Sequence, residues 1–224
     1  MADWQIAADG EAVAANCADY LVELIRNTLR EKEQCHIVLP GGTTPARCLQ
    51  LLAEKDLPWD KLHWYPGDER CYPVGHSERN DVMIVQQLLS SHPEFIDHLH
   101  PMPAELGAES GAATYARQIN DIQSFDIVVS GMGEDGHTAS LFPDNPALDD
   151  PRIVAPVFNA PKPPSERVSL SLGILRAARE KIVIATGSGK ADAISQIKNG
   201  APLPVAMLDA QKWFVDEAAN SLKS

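Results

Sequence analysis

The segment Glu134-Asp135-Gly136-His137 places two carboxylates and an imidazole side by side, directly after the apolar run at 126–130. An imidazole titrates near neutrality, so His137 can take a proton from water and return it to a leaving oxygen. A carboxylate nearby can orient that ring and stabilise its cation. The run at 126–130 has the composition of a buried parallel strand, which sets this titratable loop at a strand's carboxyl end, where open α/β sheets bind ligands. The spacing Gly131-x-Gly133-x-x-Gly136 also matches the dinucleotide fingerprint. Its context fails that test. Glu134 and Asp135 would face a pyrophosphate, the following helix could run only to about Pro143, and no acid follows the next strand-like run at 153–157 to hold a ribose.

Two further turns repeat the pattern of strand, glycine, then helix. After the run 35–39 comes Pro40-Gly41-Gly42-Thr43-Thr44-Pro45, in which Thr44 is expected to cap the next helix and Pro45 to open it. Free amides at such a terminus, close approach over Gly41 and Gly42, and the hydroxyls of Thr43 and Thr44 together make an anion site. No Gly-Lys-Ser/Thr follows, so it is not a P-loop. The second turn, Gly187-Ser-Gly-Lys190, carries a lysine in the first helical turn. A cation there opposes the macrodipole, which favours an anionic ligand over a purely structural role. A charged loop, Asp68-Glu69-Arg70, also follows a strand-like run at 62–65, and the segment 161–164, three prolines in four positions, is stiff enough to hold Lys162 and Arg167 in place.

Positioning these groups requires alternating strands and helices. Apolar spacing predicts helices at 11–31, 45–53, 79–89, 108–122, 174–178 and 190–198, and strands at 35–39, 62–65, 126–130, 153–157, 168–172, 181–186, 205–208 and 212–215. This is an α/β chain: one domain over residues 1–224, with an open, mostly parallel Rossmann-like sheet and helices on both faces. His98-x-His100 lies in a proline-rich stretch with no third ligand marked, so it is read as a pair of loop histidines and no metal site is expected.

With 31 acidic and 19 basic residues the chain carries a net charge of −12. That argues against a nucleic-acid or anionic-membrane surface, which would need a basic face, but admits an anionic small substrate where a few cations are concentrated. Four cysteines at 17, 35, 48 and 71 show no metal-type or Cys-x-x-Cys spacing and read as free thiols of a reducing compartment. The chain has no secretory leader pattern and no apolar run of membrane-spanning length, so a soluble cytoplasmic protein is expected.

Taken together, Leu39-Pro-Gly-Gly-Thr-Thr-Pro45, Asp68-Glu-Arg70, Gly133-Glu-Asp-Gly-His-Thr-Ala-Ser-Leu-Phe-Pro143, Pro161-Lys-Pro-Pro164 with Arg167, and Gly187-Ser-Gly-Lys190 resemble the 6-phosphogluconolactonase family in the same order along nearly the whole chain. The resemblance implies cytosolic hydrolysis of 6-phosphoglucono-δ-lactone in the oxidative pentose phosphate pathway, with no metal or redox cofactor and a phosphorylated sugar lactone as the only partner; monomer and homodimer both fit. It implies His137 as general base and acid, with Asp135 or Asp68 orienting the ring. The 6-phosphate would lie on Gly41, Gly42, Thr43 and Thr44, with positive charge from Arg167 and Lys190. Arg70 is either a further substrate contact or the internal partner of Asp68 and Glu69. Two departures stand out: Pro40 replaces a frequent serine and removes a donor, and Ser77-Glu-Arg-Asn80 replaces a segment that often reads Asp-Ser-Asn. The alternative is a glucosamine-6-phosphate deaminase or isomerase, in which the histidine is followed by Ile-Ala-Phe-Asn-Glu-Pro; here it is followed by Thr-Ala-Ser-Leu-Phe-Pro. A non-catalytic sugar-phosphate sensor would need a basic helix-turn-helix segment, and the sequence shows none.

Overall fold

The computed structural model describes residues 2–221. In chain order these form β1 (Asp3–Ala7), α1 (Gly10–Thr28), β2 (Cys35–Leu39), α2 (Thr43–Ala53), β3 (Leu62–Pro66), β4 (Asp68–Arg70), α3 (Asn80–Ile84), α4 (Ala108–Gln118), β5 (Ile127–Gly131), β6 (Val154–Val157), β7 (Arg167–Leu170), α5 (Leu172–Arg176), β8 (Glu180–Ala185), α6 (Ala191–Lys198), β9 (Lys212–Asp216) and α7 (Glu217–Asn220), with short 3-10 turns between some of them. Six strands make one parallel sheet in the order β1-β9-β8-β5-β2-β3.

Both faces of that sheet are covered, which explains why its central strands read as unbroken apolar runs. Cys35, Ile37 and Leu39 of β2, Ile127 and Val129 of β5, and Ile182 and Ile184 of β8 pack on one side with Val13, Cys17, Leu21 and Ile25 of α1 and Leu49 and Leu52 of α2. The alternate residues Val38, Val128 and Val183 point the other way, into a core closed by Tyr115 of α4, Val154 and Val168 of β6 and β7, and Ile194 of α6. Gly10 to Thr28 begins under an Asp9 cap, whose side chain accepts from Ala12 N at 2.9 Å.

Three local expectations are corrected, and one strand is present that the apolar pattern did not mark. The charged segment 68–70 is a strand, not a loop: it joins β7 and β6 in a small antiparallel sheet, Asp68 facing Ser169 and Arg70 facing Arg167. Residues 205–208 turn as a 3-10 helix, ending at Asp209 in a left-handed conformation, and add no strand. The helix over 79–89 splits into α3 and a π-helical turn at Val85–Leu89. Asp3–Ala7, too short and mixed to carry a pattern, pairs as an edge strand with β9.

The opposite edge strand, β3, is covered by the segment after α3. His100 N donates to Trp64 O at 2.9 Å, and Trp64 bridges to Leu99, so the backbone edge is paired. This brings four histidines together. His63 stacks on His36 and His98 with centroids 5.2 and 4.7 Å apart, and its Nδ1 lies 3.1 Å from His100 Nε2; His100 in turn stacks on Tyr65. His98 Nδ1 is bound to Leu62 O at 2.9 Å.

Burial, followed by the neighbouring imidazoles, pushes His63 down to about 4, and burial also lowers His36 and His100. The native state therefore takes up protons later than the unfolded chain as pH falls, and the associated stability is complete above about 6.5 and is lost toward about 4. Urea midpoints should decline across that window, and His63→Gln should flatten the decline. Parallel pH profiles for the two proteins would show that the cluster is not responsible.

Candidate active site

The sheet order reverses direction between β2 and β5, and their carboxyl ends diverge there. The turn after β2 and the loop after β5 line one cavity of about 360 Å³, together with Asp68 and Arg70 of β4, Arg167 of the neighbouring β7, Asn80 of α3, Lys162 and Lys190. A second hollow of about 260 Å³ shares Gly41, Gly42, Gly131, Met132 and Lys190 with the first and extends it over Thr43 and Thr44 to Thr186. One continuous crevice thus runs from the α2 N-terminus to His137.

The His137 loop is fastened at several points. Gly133 N donates to His137 O at 2.8 Å, Thr138 Oγ1 donates to Gly131 O at 3.0 Å, and Val205 N donates to Gly136 O at 3.0 Å. Within it, His137 Nδ1 lies 2.5 Å from Asp135 Oδ1, which also accepts from His137 N at 3.1 Å. Burial raises the Asp135 carboxyl, but the adjacent imidazole charge and these hydrogen bonds outweigh it and hold it below its ordinary value. With Nδ1 committed to the carboxylate, Nε2 is the nitrogen left for chemistry. Gly133 is required for this pairing, since a Cβ there would fall 1.9 Å from His137 Nδ1.

The Asp68 carboxylate is bonded elsewhere than to His137. Its Oδ1 accepts from Asn80 Nδ2 at 3.0 Å and its Oδ2 from Ser140 Oγ at 2.5 Å, while the carboxylate lines the crevice. Strand alternation turns Glu69 to the opposite side. There it accepts from the backbone N–H groups of Arg70, Asn80 and Asp81 at 2.8–2.9 Å; burial pushes it up to about 7 against the pull of those bonds. Arg70 therefore does not pair with these carboxylates through its side chain. Its guanidinium donates to Glu78 O and lines the crevice.

Arg79 is a buried latch. Nε and Nη2 grip Asp81 at 3.0 and 2.6 Å, Nη1 reaches Tyr72 O and Glu105, and Nη2 reaches Met102 O. The phosphate-type turn differs from expectation in its cap. Gly42, at φ 110°, is the N-cap of α2 with no side-chain bond, and Thr44 Oγ1 instead pairs with Thr186 Oγ1 at 2.6 Å. The α2 terminus is thus uncapped by protein. Gly187 N, by contrast, is already used by Asp216 at 3.0 Å.

Of the expected cations, Lys190 faces the crevice; burial lowers its ammonium, with Lys162 adding and Glu134 opposing. Arg167 directs Nη2 to Lys162 O at 2.9 Å and Nε to Pro164 O at 3.3 Å, so much of its fork fixes the proline segment that presents Lys162. Lys162 was expected to be held by the proline segment but was given no role at the site, and Asn80, Ser140 and Phe142 were not among the expected site residues. Phe142 packs on His137 with ring centroids 4.5 Å apart, and only the place of Phe142 and Ser140 inside the histidine block that carries the family resemblance could have marked them. Burial pushes the Cys71 thiol up to about 11, which disfavours its thiolate at neutral pH.

The family model described as glucosamine-6-phosphate isomerases/6-phosphogluconolactonase matches residues 8–216. The chain belongs to this family. Among its members, the 6-phosphogluconolactonase of Homo sapiens is 40% identical over 200 residues, covering 82% of this chain and 74% of that protein. The Mycobacterium leprae 6-phosphogluconolactonase is 32% identical over 236 residues, covering 96% of each. The solved 6-phosphogluconolactonase of Thermotoga maritima superposes with a TM-score of 0.90 at 26% identity, covering 97% of this chain and all of that one. A monomeric glucosamine-6-phosphate deaminase shares the fold at a TM-score of 0.83 and 15% identity.

Removing the latch should destabilise the frame around the crevice. Arg79→Met leaves Asp81 and Glu69 buried without their cation, a loss of about 3–5 kcal/mol. Denaturant unfolding measures it, and a change under about 1 kcal/mol would refute the structural role.

Proposed function

We propose that this protein hydrolyses 6-phosphoglucono-δ-lactone to 6-phosphogluconate. The observation that carries the reading is the His137–Asp135 pair placed in one crevice with an uncapped helix N-terminus and Lys190. The names borne by relatives of 39% and 40% identity support it. The 6-phosphate would bind the amides of Thr43 and Thr44 over Gly41 and Gly42, with Lys190 and Lys162 as its countercharges and Arg167 adding positive potential. This anchor spends remote binding energy on orienting the lactone carbonyl.

His137 Nε2 takes a proton from water as the water attacks C1. The carbonyl oxygen gains negative charge, which the cationic wall including Arg70 stabilises. The C1–ring oxygen bond then breaks as the imidazolium returns the proton to that oxygen, Asp135 having held the cation between the two steps. Asp68 accepts hydrogen bonds from the sugar hydroxyls. A cytosolic place in carbohydrate metabolism goes with this reading.

The deaminase alternative is disfavoured by one position. Where those enzymes carry a glutamate after the histidine, this chain has Phe142, packed on the His137 ring. No carboxylate is available there.

Formation of 6-phosphogluconate from fresh lactone, compared with the spontaneous rate and with unphosphorylated gluconolactone, tests the reading. Acceleration confined to the phosphorylated lactone is expected, whereas ammonia release from glucosamine 6-phosphate with no lactone turnover would replace it. His137→Ala should lower turnover by ~10²–10⁴ while ligand binding persists. Lys190→Ala should chiefly raise KM, and an unchanged KM would remove it from the phosphate site.

A further inference from the structure

Three separately folded pieces meet at the Asp68 carboxylate. The residue itself ends the β3–β4 connection, is only 6% exposed, and presents its carboxylate to the crevice without bonding His137. Ser140, fully buried, comes from the histidine loop. Its hydroxyl donates to Asp68 Oδ2 at 2.5 Å, and its amide is fixed by Ser169 Oγ at 3.3 Å. The preceding residue, Ala139, is held at φ 49°, a left-handed conformation that a side chain adopts only when its surroundings impose it. The loop is thus turned in a way that brings Ser140 beneath the carboxylate.

Asn80 comes from the start of α3. Its Nδ2 donates to Asp68 Oδ1 at 3.0 Å and to Asp68 O at 2.7 Å, fixing both side chain and backbone. Its Oδ1 lies against the glycine turn, where a Cβ on Gly41 would fall 2.2 Å away. Asn80 therefore sets the distance between the carboxylate and the turn.

We infer that Ser140 and Asn80 are positioning residues: they lock the Asp68 carboxylate at a fixed distance from both the glycine turn and His137, so that its remaining lone pairs accept the hydroxyls of the bound lactone. A carboxylate has about four acceptor sites, and each oxygen keeps capacity beyond the single side-chain donor it has here. Charge-assisted bonds of this kind are short and directional, which suits a register device. The assignment rests on the lactonase reading and adds to it the residues that measure the substrate between its two ends.

The test is a double-mutant cycle of Ser140→Ala and Asp68→Asn in the full-length protein, with inorganic phosphate as a competitive probe of the turn alone. Ser140→Ala should lower kcat/KM for the phosphorylated lactone about tenfold, the effect of one lost orienting hydrogen bond, and leave phosphate inhibition within about twofold. On the Asp68→Asn background the same change should have little further effect, because the group it positions is gone. Asn80→Ser gives an independent arm with the same expected coupling. Losses that multiply across the cycle, or a Ser140→Ala enzyme equal to the native one, would overturn the assignment. Failure of the lactonase reading appears earlier and differently, as a native protein that does not accelerate hydrolysis at all, and it would take this assignment with it.

Discussion

The whole arrangement depends on the parting of two parallel strands. β2 hands the chain outward to β3, whereas β5 joins on the other side of β2 and leads on through β8 and β9. Connections after β2 and β5 therefore leave in opposite senses, and a crevice opens between their carboxyl ends. The turns that rim it approach closely: a Cβ on Gly131 would lie 3.6 Å from Gly41 O. An uncapped helix terminus and a titratable loop are thereby set side by side with no dedicated scaffold.

The small antiparallel sheet supplies the third wall. By pairing with β7, β4 carries Asp68 toward the crevice and Glu69 away from it, and Glu69 then orders the start of α3 through backbone N–H groups. Arg79 closes that interior with bonds to Asp81, Tyr72 and Met102. Unpaired, any of these buried charges would be strongly destabilising, so the network has to form as a unit. Its product is a rigid support for Asn80 and Asp68.

Charge is distributed in the same economical way. A chain of net charge −12 gathers Arg70, Lys162, Arg167 and Lys190 around one crevice. Low-dielectric walls focus that local field toward an anion, whatever the overall sign. Arg167 contributes structure as well as charge, because its fork is bound to the carbonyls of the proline segment.

Much of this was legible in the sequence because it is local. Apolar runs marked the strands at 35–39 and 126–130 nearly to the residue, and glycine-rich turns marked the start of α2 and the histidine loop at the strand ends. The pairing of Asp135 with His137 is a two-residue relation and was available as one of two readings. What sequence could not determine is non-local: β1 and β4 are strands only because β9 and β7 offer them a ladder, and residues 205–208 are not, since that segment instead packs its turn against Gly136. The release of Asp68 from His137 to Asn80 and Ser140, and of Thr44 from helix capping to Thr186, has the same origin. A hydrogen-bonding side chain declares its capacity in the sequence, but its partner is set by whichever distant group tertiary packing brings within three ångströms.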